Sequence, residues 1–102
     1  LKPLDVLHRY PSHDYTLHGT LKSRMACDPN RVFIAFHGER KMTWSWRRFG
    51  QATDAIACAF LARGIAKGDR VAVMGRNSDG HALTRFALAR IGAIMVPVNP
   101  DF

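Results

Sequence analysis

The sequence predicts an α/β fold on three observations. Amphipathic stretches alternate with short β-branched runs; a strand, helix, strand succession occupies residues 70 to 98; and two strand-like runs flank His37-Gly38-Glu39. A β-hairpin followed by a βαβ unit, with helices packed on a mixed sheet, satisfies all three.

Taken in order, Leu1 to Asp14 carries Pro3 and Pro11 among polar residues and reads as a leader, with residues 1–15 set apart from a domain over 16–102. Thr16 can cap a first helix in which Leu17, Leu21 and Met25 recur every four residues. Asp28-Pro29-Asn30 stops it, and Gly19 weakens it. Val32 to Phe36 and Arg40 to Trp44 then form the hairpin, with Gly38 expected at a positive φ.

The best-defined helix follows. Trp46, Phe49, Thr53, Ile56 and Phe60 step by three and four residues along one face, which predicts that this face is buried. Ser45 stands at its N-cap, and Gly64 comes where a left-handed residue ends a helix. Lys67-Gly68-Asp69 turns the chain into a strand from Arg70 to Met74. Asn77 or Ser78 caps a third helix, with Leu83, Phe86, Ala87 and Ile91 on its apolar side, and Gly92 ends it. Ala93 to Val98 is a second strand with Pro97 near its end, so the crossover rule makes the two strands parallel. Strands this apolar are normally covered on both faces, and the helices available here can cover one.

At 102 residues the chain can build one core and is too short for a large multi-domain enzyme. Its apolar stretches, such as Ala93 to Val98, fall far below the ~20 residues of a membrane span. Leu1 to Tyr10 has no apolar core of a secretory signal, and only Cys27 and Cys58 are present, which together predict a reducing, cytoplasmic setting. A net charge of +7 is compatible with nucleic acid, an anionic membrane surface or small polyanions. The basic residues are nevertheless dispersed, with Arg40-Lys41 and Arg47-Arg48 as the adjacent pairs and no run of five like charges. That pattern describes a solvated basic surface and disfavours a nucleic-acid partner.

Candidate chemistry is sparse. His8, His13 and His18 are five apart, a spacing that matches neither one helix face nor one strand face, while His37 lies in a turn and His81 in the first turn of a helix. Asp54, Asp69 and Asp79 come from a helix, a turn and a cap and form no dyad in sequence. Cys58, among Ala57, Ala59 and Phe60, reads as a small buried hydrophobe, and Ser45 and Ser78 read as caps. Neither GxGxxG nor GxxxxGK[ST] occurs, and Gly64-Ile65-Ala66-Lys67-Gly68 lacks the Ser/Thr and the following helix of a P-loop. No catalytic, cofactor-binding or metal-ligating residue is therefore assigned within residues 1–102.

Beyond this the chain resembles a family. Ala62-Arg63-Gly64-Ile65-Ala66-Lys67-Gly68-Asp69-Arg70-Val71-Ala72-Val73, then Asn77-Ser78, then Arg90-Ile91-Gly92-Ala93-Ile94-Met95-Val96-Pro97-Val98-Asn99-Pro100, closely resemble the AMP-forming acyl-CoA synthetases of the adenylate-forming superfamily. Ser45-Trp46-Arg47-Arg48-Phe49 is similar to the family's T-Y-x-E-L segment and Asp28-Pro29-Asn30-Arg31-Val32 to its P-D-R-V, so the likeness runs from about residue 16 to 100.

The resemblance implies the N-terminal portion of the adenylate-forming fold, about the first fifth of an enzyme. The whole enzyme would use ATP and Mg to turn a carboxylic acid into acyl-AMP and pass the acyl group to CoA. Its phosphate loop, acidic metal ligand, acyl pocket and catalytic lysine would all lie downstream, so the 102-residue segment alone should be inactive and bind none of these. Its partner would be the rest of its own enzyme or, through exposed apolar surface, a second copy in a homo-oligomer.

Three departures stand out. Arg48 replaces the family's usual Glu, removes a capping box and sets an unfavourable positive charge at a helix N-terminus, Gly80, His81 and Arg85 replace residues usually acidic or aromatic, and Asp101 stands where a basic residue often follows Asn-Pro near the CoA entrance. The alternatives left open are an adenylation domain that loads a carrier protein and a stand-alone basic binding module.

Overall fold

The computed structural model describes residues 2–9, 16–38, 40–76 and 78–101. The elements are α1 (Pro3–His8), α2 (Leu17–Cys27), β1 (Val32–His37), β2 (Lys41–Ser45), α3 (Trp46–Ala62), β3 (Arg70–Met74), α4 (Asp79–Ile91) and β4 (Ile94–Val98).

Helix boundaries follow the caps the sequence offers. The Thr16 hydroxyl accepts from the Gly19 N–H, Ser45 from the Arg48 N–H and Ser78 from the His81 N–H, each satisfying one of the orphan donors of a first turn. Gly19, expected only to weaken α2, supplies the donor that its cap binds. Asn77, the other candidate cap, lies outside the described residues. Gly92 closes α4 at φ 76 with its N–H on the Ala89 carbonyl, a left-handed geometry that an L side chain resists.

β1 and β2 pair antiparallel, from Val32 opposite Ser45 to His37 opposite Lys41, and β3 and β4 pair parallel, from Arg70 opposite Ile94 to Met74 opposite Val98. The expected parallel pairing thus holds, but among the described residues the strands form two separate two-stranded sheets and not one mixed sheet. A second difference concerns the hairpin loop. It closes between His37 and Lys41, one residue later than expected at its far side, and Gly38, now the first loop residue, does not take a positive φ. Within the expected leader, residues 3–8 form α1; Tyr10 to Tyr15 lie outside the described residues.

The core lies where α2, the hairpin, α3 and α4 meet. Phe49, Leu21, Leu83 and Trp44 are buried, with Met25, Phe33, Ile34, Ile56 and Phe86 packed around them. Phe33 is the hub: it stacks on Trp46 with ring centroids 3.8 Å apart and meets Phe49 and Phe86 edge-on at 5.1 and 5.9 Å. Such geometries add about 0.5–1.5 kcal/mol per pair beyond burial. The predicted apolar face of α3 is confirmed at Phe49 and Thr53, both with no exposed surface, while Trp46, Ile56 and Phe60 are half-buried. Gly50 is buried because Met25 of α2 fills the space a Cβ would need.

One expectation about burial fails and another holds. Cys58 is exposed, lining with Leu61 an open depression beside Arg90 and Ile91 of α4, while the neighbouring Ala57 is buried. β3 and β4 bury only one face; on the other, Met74 is 69%, Ile94 50% and Val96 41% exposed.

Candidate functional site

Parallel strands in open α/β sheets present ligands at their carboxyl ends, and that edge is where this chain gathers polar groups. β3 ends at Met74 and β4 at Val98, and beyond them Arg76 Nη2 lies 2.6 Å from Asp101 Oδ1. The Asp101 N–H in turn donates to Asn99 Oδ1 at 2.9 Å, which folds the Asn99–Asp101 turn against the Arg76 side chain. Arg76 and Asp101 are both well exposed, so this pair contributes roughly 0–1 kcal/mol to stability and acts by orienting the two loops. The acid at position 101 is therefore partnered, and the pairing is invisible in sequence because the two residues sit on separate loops.

Beside this edge, α4 begins at Asp79. Asp79 Oδ2 accepts from Trp44 Nε1 at 3.3 Å and its Oδ1 accepts from the Gly80 N–H at 2.9 Å. A groove of about 280 Å³ opens next to it, lined by Phe36, His37, Gly38, Arg40, Met42, Ser78 and Asp79. A depression of about 410 Å³ continues along α4 past His81, Ala82, Arg85 and Phe86, sharing Phe36 and Ser78 with the first.

The histidines remain apart. His8 and His37 are exposed, His18 and His81 half-buried, and His13 lies outside the described residues. Asp54 pairs with Arg90 across α3 and α4 at 3.3 Å, Asp69 accepts from the Ala66 N–H at 2.7 Å in its turn, and Asp79 holds Trp44, so the three carboxylates serve three different structural tasks. Among the described residues no three His, Cys, Asp or Glu side chains converge as a metal site, and these residues do not fit a Mg ion. Arg48, expected to burden the start of α3, turns its guanidinium over the Trp44 ring at 4.7 Å and toward the Thr43 carbonyl at 3.4 Å.

Residues 21–102 match the family described as AMP-binding enzyme. This chain belongs to that family. Among curated AMP-binding relatives it is 35% identical over 100 residues to a long-chain-fatty-acid–CoA ligase of Bacillus subtilis, covering 96% of this chain and 17% of the relative. Among solved structures it is similar to a long-chain-fatty-acid CoA ligase described as putative from Rhodopseudomonas palustris, with TM-score 0.80 and 30% identity over 88% of this chain and 22% of that one. It is also similar to an artificially fused adenylation–PCP di-domain NRPS of Klebsiella oxytoca, with TM-score 0.74 and 29% identity over 84% of this chain and 16% of that one. The chain thus spans about a sixth of the length of the ligase it matches, and the fold described above is that of an adenylate-forming enzyme's N-terminal segment.

Proposed function

We propose that this chain is the N-terminal part of an AMP-forming acid–thiol ligase, most simply an acyl-CoA synthetase. The whole enzyme would attack the α-phosphate of ATP with a carboxylate, release pyrophosphate and transfer the acyl group from acyl-AMP to CoA. The observation that carries this reading is the run of likeness to a long-chain acyl-CoA ligase along nearly the whole chain. Residues 16–102 would belong to the large AMP-binding domain, with residues 1–15 a leader. In that role this segment supplies framework: α3, α4 and the β3–β4 pair form a rigid wedge whose carboxyl edge, with Arg76, Ser78 and Asp101, borders the reacting groups contributed by the rest of the enzyme. Mg would be held elsewhere in the chain. No described helix is both long and apolar enough to cross a membrane, which is consistent with a cytoplasmic enzyme.

A second reading is favoured by the likeness to the adenylation–PCP di-domain: the acceptor would then be a carrier-protein phosphopantetheine. One pair of assays separates the readings. ATP–pyrophosphate exchange should occur with the full-length gene product and not with the 102-residue chain, and exchange by the short chain would overturn the framework role. Acyl transfer to free CoA supports the synthetase, and transfer only to a carrier domain supports the alternative. Absence of exchange in the full-length product with a panel of carboxylic acids would sink both.

A further inference from the structure

We propose that the groove between the loop end of the hairpin and the first turns of α4 is a docking site for an acidic segment of a partner protein. The segment would place an apolar side chain on an aromatic floor, with carboxylates to either side.

Charge comes first. Arg40 on the hairpin side and Arg85 on the helix side line the two contiguous depressions. The ion pairs formed among the described residues are Arg31–Asp28, Arg76–Asp101 and Arg90–Asp54, so neither groove arginine has an acidic partner among the described residues. The acid lining the groove among the described residues is Asp79, and both of its carboxylate oxygens are already engaged, one by Trp44 and one by the Gly80 amide. His37 and His81 add two more nitrogen-bearing rings, one on each wall.

The floor between the walls is apolar. Phe36 and Met42 are cross-strand neighbours on the hairpin, both half-buried, and Phe86 and Ala82 face them from α4. Phe86 spends its inner edge on Phe33 and Phe49 and leaves part of its ring to the groove. Cations flanking an apolar strip complement a peptide in which carboxylates flank an apolar residue.

Shape decides the class of occupant. Small ligands bury most of their surface in enclosed clefts, whereas this groove is long and open along α4. Nucleic acid is disfavoured because two arginines without a basic run give few phosphate contacts, and because the Phe rings are committed edge-on to the core and do not form a stacking platform.

The test uses the full-length gene product and two fluorescein-labelled synthetic peptides, Asp-Glu-Phe-Glu-Asp and its amide counterpart Asn-Gln-Phe-Gln-Asn, read by anisotropy at two ionic strengths. The acidic peptide should bind, weaken as salt rises, and lose on the order of tenfold in affinity with Arg40→Glu or Arg85→Glu, since a reversed charge replaces an attraction with a repulsion. The amide peptide should not bind. Arg85→Gln, which is milder on folding, should show a smaller loss in the same direction. Equal binding of both peptides, or affinity unmoved by the arginine variants, overturns the proposal. Phenylglyoxal modification distinguishes the remaining case: Arg40 and Arg85 should react in the free protein and be protected by the acidic peptide. Protection without peptide would show that the enzyme's own chain fills the groove, and overturns the proposal equally.

Discussion

Trp44 and Asp79 are joined by a 3.3 Å hydrogen bond from the indole N–H to a carboxylate oxygen, and this bond fastens the end of the hairpin to the first turn of α4. Trp44 is 8% exposed, so its N–H has little access to water if the acceptor is removed. Asp79→Ala should therefore cost about 1–2 kcal/mol, combining an orphaned donor with the loss of a negative charge at a helix N-terminus. Asp79→Asn, which keeps an acceptor oxygen, should cost less. Thermal melting of the three full-length proteins checks the order, and equal melting temperatures for all three would show that the bond contributes nothing.

Phe49 has no exposed surface and touches Phe33, Trp44 and Phe86 edge-on. Phe49→Ala removes the ring around which α3, α4 and the hairpin are organised, at an expected cost of about 3–5 kcal/mol. Denaturant unfolding of the full-length protein measures it; an unchanged midpoint would mean the cavity collapses without loss.

Thr53 behaves differently. Its side chain is fully buried and its hydroxyl has no hydrogen-bond partner among the described residues. A buried unpaired hydroxyl costs on the order of 1–3 kcal/mol relative to an apolar group of the same shape. Thr53→Val should be neutral or stabilising, in contrast to most core substitutions, and a destabilisation above about 1 kcal/mol would reveal a partner for the hydroxyl.

Gly50→Ala tests the closeness of α2 and α3. Alanine favours a helix by roughly 1 kcal/mol over glycine, but here the added methyl group lands on the Met25 side chain. The flexible end of Met25 must shift, and the expected net effect is a loss of up to about 1 kcal/mol. Pairing it with Met25→Ala should restore part of the loss, and a double-mutant cycle measures how much.

Much of this fold is legible in the sequence because its punctuation is local. Thr16, Ser45, Ser78 and Gly92 act through hydrogen bonds or a backbone angle within a turn of their own position, so reading them needs no knowledge of the partner elements. What sequence missed depends on contacts between distant segments. Cys58 was assigned to the interior by its apolar neighbours, yet burial is set by which flank of α3 meets α4. Arg48 looked unfavourable at a helix start until Trp44 supplied a ring beneath it. The carboxyl-edge pair Arg76–Asp101 and the groove arginines were likewise visible only as scattered charges.

The one-sided burial of β3 and β4 also bears on how the polypeptide behaves while it is being made. The pairing of Arg70 with Ile94 closes over a short crossover, so this unit can acquire its register as soon as Val98 has cleared the ribosome. Met74, Ile94 and Val96 then face solvent, and in the proposed whole enzyme later residues would cover them. For that interval the nascent chain displays an adhesive face, and a chaperone that recognises extended aliphatic segments should crosslink to ribosome-stalled chains ending shortly after position 98 and release those carrying a further stretch of the enzyme.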